Sequence, residues 1–137
     1  MITWNNLDTL TSFKELENVE RVDLVKAMAG ENGAERVKNY SVPMAEGLTY
    51  NYAAKQVDDK VLAALAKLAD EAQLTEKFEA LYNGEVINTG EKRLVLHHLT
   101  RGQLGDTVTA DGVDKRAFYK EQQDKIADFA NKVHAGE

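Results

Sequence analysis

Residues 57–84, VDDKVLAALAKLADEAQLTEKFEALYNG, contain the pattern that decides the fold class. Asp58 can accept hydrogen bonds from the free backbone N–H groups at the start of a helix, and Val57 and Leu62 around it can form a hydrophobic staple. Apolar residues then recur at helical spacing, at Leu62, Leu65, Leu68 and Ala72. The stretch therefore predicts an amphipathic helix.

A second helix is predicted directly after the first. Thr75 can cap it, and Phe78, Leu81 and Tyr82 give it an apolar face. Asn83-Gly84 supplies the left-handed residue at which helices commonly end. Because the connection between the two helices is short, we expect them to form a helical hairpin.

The same start signal recurs near the end of the sequence. Val113 precedes the capping residue Asp114, and Phe118 follows four residues later. A stripe that is apolar except at Gln122 continues from there at intervals of four, four, three and four residues: Phe118, Gln122, Ile126, Phe129 and Val133. This is the strongest helix prediction in the chain, and an exposed stripe of this kind favours self-association.

The first half of the chain predicts shorter elements. Helical spacing relates Leu10, Phe13 and Leu16, and then Val22, Val25 and Met28. Glycines 30 and 33 are expected to interrupt the helix before 34–40, and Pro43 and Gly47 to mark a loop before a half-buried strand at 48–52. With no repeat or linker inside it, residues 1–137 are predicted to be a single, mainly α unit with one or two short strands.

Composition limits the possible partners. The 137 residues include 23 acidic and 17 basic side chains and no cysteine, with a formal charge of −6. This charge opposes binding to nucleic acid or anionic membranes, and the lack of cysteine excludes disulfides and thiolate chemistry. No apolar run approaches the roughly 20 residues that span a bilayer, and no signal peptide is recognisable at the start. We therefore expect a cytoplasmic protein.

Adjacent His97 and His98 are the first candidates for chemistry. Neighbouring side chains point in different directions on a strand or helix, and His134 is far away in sequence, so a metal site is disfavoured. Either histidine could be a general base, but the sequence has no nucleophile elbow to accompany it. A hydrogen-bonded, partly buried scaffold role is the favoured interpretation, and we assign it to His97.

Two further motifs lead to no site. Residues 30–33, GENG, resemble a phosphate loop but lack its basic ending, so a turn between helices explains them better. Glu15, Glu17 and Glu20 are interpreted as a solvated helix face.

Residues 84–101, GEVINTGEKRLVLHHLTR, resemble the glucose-6-phosphate isomerase (phosphoglucose isomerase) family, whose pattern here is G-E-x-I-N-x-T-E-x-R-x-V-L-H-x-A-L-R. The matching positions are Gly84, Glu85, Ile87, Asn88, Glu91, Arg93, Val95, Leu96, His97 and Arg101. Gly90, Leu99 and Thr100 depart from the pattern, which suggests a divergent bacterial branch.

Two more segments are similar to the same family. Residues 51–58, NYAAKQVD, resemble its strand-to-helix entry D-Y-S-K-N-x-[IV]-T, with Asp58 in place of a capping threonine. Residues 118–137 resemble the helix that precedes its sugar-phosphate domain. The resemblance therefore covers 48–137 well and 1–47 weakly.

The resemblance implies an N-terminal fragment of an isomerase that interconverts glucose 6-phosphate and fructose 6-phosphate in glycolysis and gluconeogenesis, by cofactor-free proton transfer. The family's phosphate loop and catalytic residues would follow position 137, so we predict no catalytic, cofactor-binding or metal-binding residue in this chain, and no activity for it alone. Glu91, Arg93, His97 and Arg101 become scaffold positions, with Arg93 in an ion pair or bonded to carbonyls.

The implied partners are the remainder of the parent isomerase and its dimer mate within a larger layered α/β protein. Sugar phosphate would bind only to the full-length protein, and part of the stripe that begins at Phe118 would pack against the missing domain. The alternative is a stand-alone helical interaction module that keeps the isomerase scaffold without catalysis.

Overall fold

The computed structural model describes residues 1–102 and 105–136, so Glu137, the last residue of the predicted closing helix segment, lies outside the described residues. The described chain is mainly α, as predicted, and its helices are α1 Thr11–Glu17, α2 Leu24–Ala27, α3 Gly30–Asn39, α4 Asp59–Glu71, α5 Leu74–Tyr82 and α6 Lys115–Ala135. The short strands are β1 Ser41–Pro43, β2 Thr49–Asn51, β3 Val86–Asn88, β4 Arg93–Leu94, β5 Thr109–Ala110 and β6 Val113–Asp114.

The strands form antiparallel pairs: β1 with β2, β3 with β4, and β5 with β6. The described residues thus hold more strands than the one or two expected, because strands of two or three residues are too short to show an alternating pattern. Contacts group the chain into two compact units. The first is Asn5–Ala72, and the second joins Met1–Trp4 to the described residues from Gln73 onward. That 1–137 is a single unit stays a prediction.

In the first unit, α1 packs against α4. The start of α1 is capped by a residue that is distant in sequence. Leu10, the residue before α1, provides no side-chain cap. Glu71 at the end of α4 instead accepts hydrogen bonds from the backbone N–H groups of Thr11 (3.2 Å) and Ser12 (2.7 Å), and from the Ser12 hydroxyl. The hydrogen bond from the Ser12 hydroxyl, and to a smaller extent the one from the Ser12 backbone N–H, lower the pKa of Glu71. The carboxylate thus satisfies N–H groups that α1 leaves free.

The structure corrects the expected interruption at Gly33. Helix α3 begins at Gly30 and continues through Gly33. A Cβ atom at Gly33 would lie 2.4 Å from the carbonyl oxygen of Met28, so the helix needs a residue without a side chain here. The glycine marks a close approach of two backbone segments, which sequence spacing alone cannot distinguish from a helix break.

Strands β1 and β2 form a hairpin in which Val42 pairs with Tyr50 and Pro43 with Thr49. Pro43 therefore ends β1, and its assignment to the loop was wrong. The expected half-burial of 48–52 was also wrong for Leu48 and Tyr50, which are 64% and 48% exposed. An apolar alternation predicts which side chains share a face, but it does not show that this chain covers that face.

Helix α4 begins as predicted, because the Asp58 side chain accepts a hydrogen bond from the N–H of Val61 at 2.9 Å. Ala64 in the helix and Ala72 directly after it are buried, whereas Leu65 is 39% exposed. The small side chains therefore make the closest contacts, and part of the leucine face stays open.

In the second unit, the predicted cap of α5 was wrong. The helix begins at Leu74, which places Thr75 inside the first turn, and Gln73 precedes it with a φ of 53°. The Gln73 side-chain oxygen accepts hydrogen bonds from the backbone N–H (2.8 Å) and hydroxyl (3.0 Å) of Thr3. Gln73 thus ties the start of the chain to α5. Because α4 and α5 belong to different units, their hairpin stays a prediction.

The predicted end of α5 is confirmed. Gly84 has a φ of 75°, and the N–H of Glu85 donates to the carbonyl of Ala80 at 2.9 Å while that of Gly84 donates to Leu81 at 3.1 Å. This pair of bonds is a Schellman motif. A Cβ at Gly84 would lie 2.2 Å from Cγ1 of the buried Val108, so the position also needs glycine for packing.

Helix α6 begins as predicted, at the Asp114 cap, and it ends at Ala135. Asp114 accepts hydrogen bonds from the N–H groups of Arg116 (2.9 Å) and Ala117 (3.2 Å), and the helix stops at Gly136 with a φ of 82°. Ion pairs between residues four apart lie along the helix, including Glu121 with Lys125 at 2.6 Å. Among the described helices, none combines the length and apolar character needed to cross a bilayer.

Replacing Gly84 with alanine should destabilise the chain more than the same change at Gly112. Both glycines have a positive φ, 75° and 73°, so both variants lose about 1 kcal/mol from backbone strain. Only Gly84→Ala also drives a methyl group into Val108, because Gly112 has open space around its Cβ position. Urea denaturation should show about 1–3 kcal/mol of additional loss for Gly84→Ala. Equal losses would contradict the packing described around Val108.

Candidate functional site

Arg36 on α3 is a buried charged side chain of the first unit that binds several backbone carbonyls. Its side chain is buried, with the residue 8% exposed. Nε donates to the carbonyl of Ala53 at 2.8 Å, and Nη2 donates to those of Lys55 (3.0 Å) and Val57 (2.6 Å). The guanidinium carbon lies 4.2 Å from the ring centroid of Tyr40. One side chain therefore holds the whole loop between β2 and α4.

A buried guanidinium needs compensation for the water that it loses. Arg36 forms no ion pair with a carboxylate within the described chain, so its compensation comes from the carbonyl dipoles and the aromatic face of Tyr40. Tyr40 in turn donates its hydroxyl to Asp59 at 3.2 Å. Partial desolvation and this hydrogen bond raise the pKa of Tyr40. The arrangement fixes the loop that leads to the Asp58 cap, which is a positioning role.

Arg116 on α6, in the second unit, is likewise a buried arginine that binds backbone carbonyls and contacts a tyrosine ring. It is 2% exposed, and it donates from Nη2 to the carbonyl of Tyr82 at 2.8 Å and from Nε to that of Asp106. Its guanidinium carbon lies 4.9 Å from the Tyr82 ring centroid. Gly105 allows this approach, because a Cβ there would lie 3.2 Å from Nη2 of Arg116. Arg116 thereby connects α6 to the end of α5.

His98, rather than His97, is the partly buried histidine. His98 Nε2 lies 3.0 Å from the Tyr82 carbonyl, so this nitrogen carries the proton, and its ring stacks on Tyr82 with 5.3 Å between centroids. His97 is exposed and contributes its carbonyl, which accepts a bond from the Thr100 hydroxyl at 2.8 Å. Our assignment to His97 was therefore wrong. His98 lies within the short helical turn His97–Arg101, which directs its side chain inward, and sequence order does not indicate this.

The other predicted candidates lie apart from these buried contacts. Arg93 is exposed and lies 3.7 Å from Glu91, as a loose ion pair. Asn88 binds Glu91 twice, accepting from its N–H at 3.1 Å and donating to its side chain at 3.3 Å. These residues of the family-like pattern thus form a local turn. Within the described ranges, no three His, Asp or Glu side chains gather as a metal site would require.

The remaining motifs also have structural positions. Residues 30–33 form the first turn of α3 instead of a turn between helices. Glu15 pairs with Lys67 at 3.3 Å on the exposed surface of the first unit. A cleft of about 430 Å³ in that unit has a balanced lining of acidic and basic side chains, so it offers little net attraction to an anion. The charged lining is Glu20, Arg21, Asp23, Lys26, Asp58 and Lys60.

A second open cavity, of about 480 Å³, lies in the first unit between the β1–β2 hairpin and α4, and we call it the hairpin groove. Its lining is apolar and aromatic with one cation and no carboxylate: Val42, Tyr50, Tyr52, Lys55, Val57, Leu62 and Leu65. In the second unit, the predicted stripe on α6 is exposed, with Ile126 at 68% and Phe129 at 70%. Both units therefore present apolar surface.

Comparison with known proteins decides the family. The phosphoglucose isomerase family model matches residues 51–137. The chain belongs to the phosphoglucose isomerase family. It is 51% identical to the glucose-6-phosphate isomerase of Treponema denticola over 97% of this chain, and 42% identical to that of Treponema pallidum over 98%. The glucose-6-phosphate isomerase of Shewanella woodyi is 38% identical over 78% of the chain.

The chain spans about a quarter of the length of the curated relatives that it matches, 26% for both Treponema proteins. The matched part is N-terminal in these relatives. The family-like pattern at 84–101 and the entry at 51–58 both lie within the residues that the family model matches. The resemblance read from those residues is confirmed.

Sequence reasoning missed the two arginines. Neither Arg36 nor Arg116 stands in a recognisable motif, and a single arginine in a helix is usually exposed. A weak signal was available for Arg116, which comes two residues after a strong helix start at Asp114 and therefore lies close to the preceding loop. For Arg36 the sequence offers no comparable clue.

Replacing Arg36 with lysine should destabilise the chain although the charge is kept. Lysine cannot donate in the forked geometry that reaches three carbonyls, so we expect a loss of about 2–3 kcal/mol in the free energy of unfolding. The matched control is Arg21→Lys, at an exposed arginine of the same unit, which should change stability by less than about 0.5 kcal/mol. Chemical denaturation of both variants measures the difference. Similar, small losses at both positions would contradict the role of Arg36.

Proposed function

We propose that this chain provides the N-terminal scaffold of a cytoplasmic glucose-6-phosphate isomerase, an enzyme that interconverts glucose 6-phosphate and fructose 6-phosphate in glycolysis and gluconeogenesis. The observation that carries the proposal is the similarity to the Treponema denticola enzyme, which extends over 97% of this chain but only 26% of the relative. The contacts of the described residues support a scaffold role, since the buried polar side chains Arg36 and Arg116 bind backbone carbonyls.

On this proposal the chain alone neither isomerises sugar phosphates nor binds them specifically. Aldose–ketose isomerisation needs a positioned proton-transfer group beside a site that holds the phosphate. The hairpin groove has no carboxylate in its lining, and the charged cleft has no net positive charge. The remaining groups would come from the rest of the isomerase and its dimer mate, and sugar phosphate would bind only to that assembly.

A chimera tests the proposal. This chain replaces the matching N-terminal quarter of the Treponema denticola enzyme, and a coupled assay follows the formation of glucose 6-phosphate from fructose 6-phosphate. We expect the chimera to keep turnover within about tenfold of the unmodified relative, a difference of ~1.4 kcal/mol in activation free energy. The isolated chain, and the relative lacking its N-terminal quarter, should both show background rates.

Two results would contradict the proposal. Turnover by the isolated chain would reveal a catalytic site within these residues. A chimera that folds, as judged by its circular dichroism and melting transition, but has no turnover would instead favour a stand-alone interaction module, a reading that the exposed stripe on α6 would also suit.

A further inference from the structure

The hairpin groove is a continuous apolar surface of the first unit. Val42 and Tyr50 face each other across the β1–β2 pair, and Leu62 and Leu65 form the wall on α4. Three of these side chains are substantially exposed: Val42 at 45%, Tyr50 at 48% and Leu65 at 39%. Contiguous exposure of this kind marks an interaction surface more often than a free one.

Aromatic contacts and the buried Arg36 hold the groove in one shape. The ring of Tyr52 lies between those of Tyr50 (6.0 Å) and Tyr40 (5.4 Å), and Arg36 fixes the carbonyls of Lys55 and Val57 behind the groove. The aromatic wall and the loop are therefore ordered before anything binds. A preformed surface loses little conformational entropy on binding, which favours a stable interface.

The composition of the groove limits its occupant. In a chain with a formal charge of −6, its lining carries no carboxylate and one cation, Lys55. An apolar segment with an acidic side chain near Lys55 would match this surface. A second copy fits less well, because a two-fold pairing of the same surface brings Lys55 towards its own equivalent.

The comparisons indicate where such a segment lies. All the lining residues except Val42 and Tyr50 fall within the part that the family model matches, so the groove is built mainly from family residues. About three quarters of the Treponema denticola enzyme lies outside the matched region. We propose that the hairpin groove binds an apolar segment of this remaining part of the isomerase, with a carboxylate facing Lys55. The inference rests on the proposed function and names the surface through which the chain joins the enzyme.

Hydroxyl-radical footprinting of Tyr50 tests the inference on the isolated chain and on the chimera with the Treponema denticola enzyme. Tyr50 should be modified rapidly in the isolated chain and several-fold more slowly in the chimera, at every protein concentration. Equal modification of Tyr50 in an active chimera would overturn the groove assignment while the proposed function stands. Protection that appears in the isolated chain and grows with concentration would assign the groove to a second copy and also overturn it. An inactive chimera with a protected Tyr50 would leave the groove supported and the proposed function refuted.

A matched pair of variants provides the second measurement. Val42→Lys lies in the groove, whereas Val25→Lys lies outside it at a position that is 84% exposed. In the isolated chain both variants should melt close to the unmodified chain. In the chimera, Val42→Lys alone should lower the melting temperature, because the lysine would have to be buried against the apolar segment. Equal melting temperatures of the two chimeric variants would contradict the inference, and a loss already present in isolated Val42→Lys would assign Val42 to the fold of this unit and also count against it.

Discussion

The guanidinium of Arg36, bonded to three backbone carbonyls, is the interaction on which the first unit depends. The carbonyls belong to the loop between β2 and α4, whose own backbone hydrogen bonds are local turn bonds such as that from the N–H of Val57 to the carbonyl of Lys55. By satisfying them, Arg36 fixes the approach to Asp58 and so the start of α4. The same contacts shape the hairpin groove, because Lys55 and Val57 belong both to the loop and to the lining of the groove.

Arg116 serves the second unit in the same way, with the carbonyls of Tyr82 and Asp106 as its acceptors. In each unit a tyrosine ring covers the guanidinium, Tyr40 for Arg36 and Tyr82 for Arg116. Lysine would not substitute well, because these sites use the planar, forked geometry of the side chain. An arginine whose N–H groups donate to backbone carbonyls cannot use those groups to bind a phosphate. The two buried arginines therefore agree with the proposed scaffold role.

How much the sequence predicted depends on how local each interaction is. The caps at Asp58 and Asp114 and the stop at Gly84 act over a few residues, and all were predicted correctly. The family pattern at 84–101 was recognised because ten of its positions match in order, and in the structure it contains a compact turn and a glycine that packs on Val108.

Interactions between distant residues could not be predicted. Glu71 caps a helix 59 residues earlier in sequence, and Arg36 reaches carbonyls 17 to 21 residues away. Nothing in the composition near either residue indicates its partner. The errors at Thr75 and His97 share this cause, because Gln73 binds Thr3 and His98 binds Tyr82 through folding of the chain.

Hydrogen exchange of the arginine side chains tests the role of the buried guanidinium groups most directly. Nitrogen-15 NMR of the Nε–H groups measures this exchange. Arg36 and Arg116 are buried and donate these groups to backbone carbonyls, so their signals should be resolved and should exchange slowly with water. The exposed Arg21 and Arg93 in the same molecule should exchange rapidly. Equally rapid exchange at Arg36 and Arg116 would contradict the claim that buried guanidinium groups organise this fold.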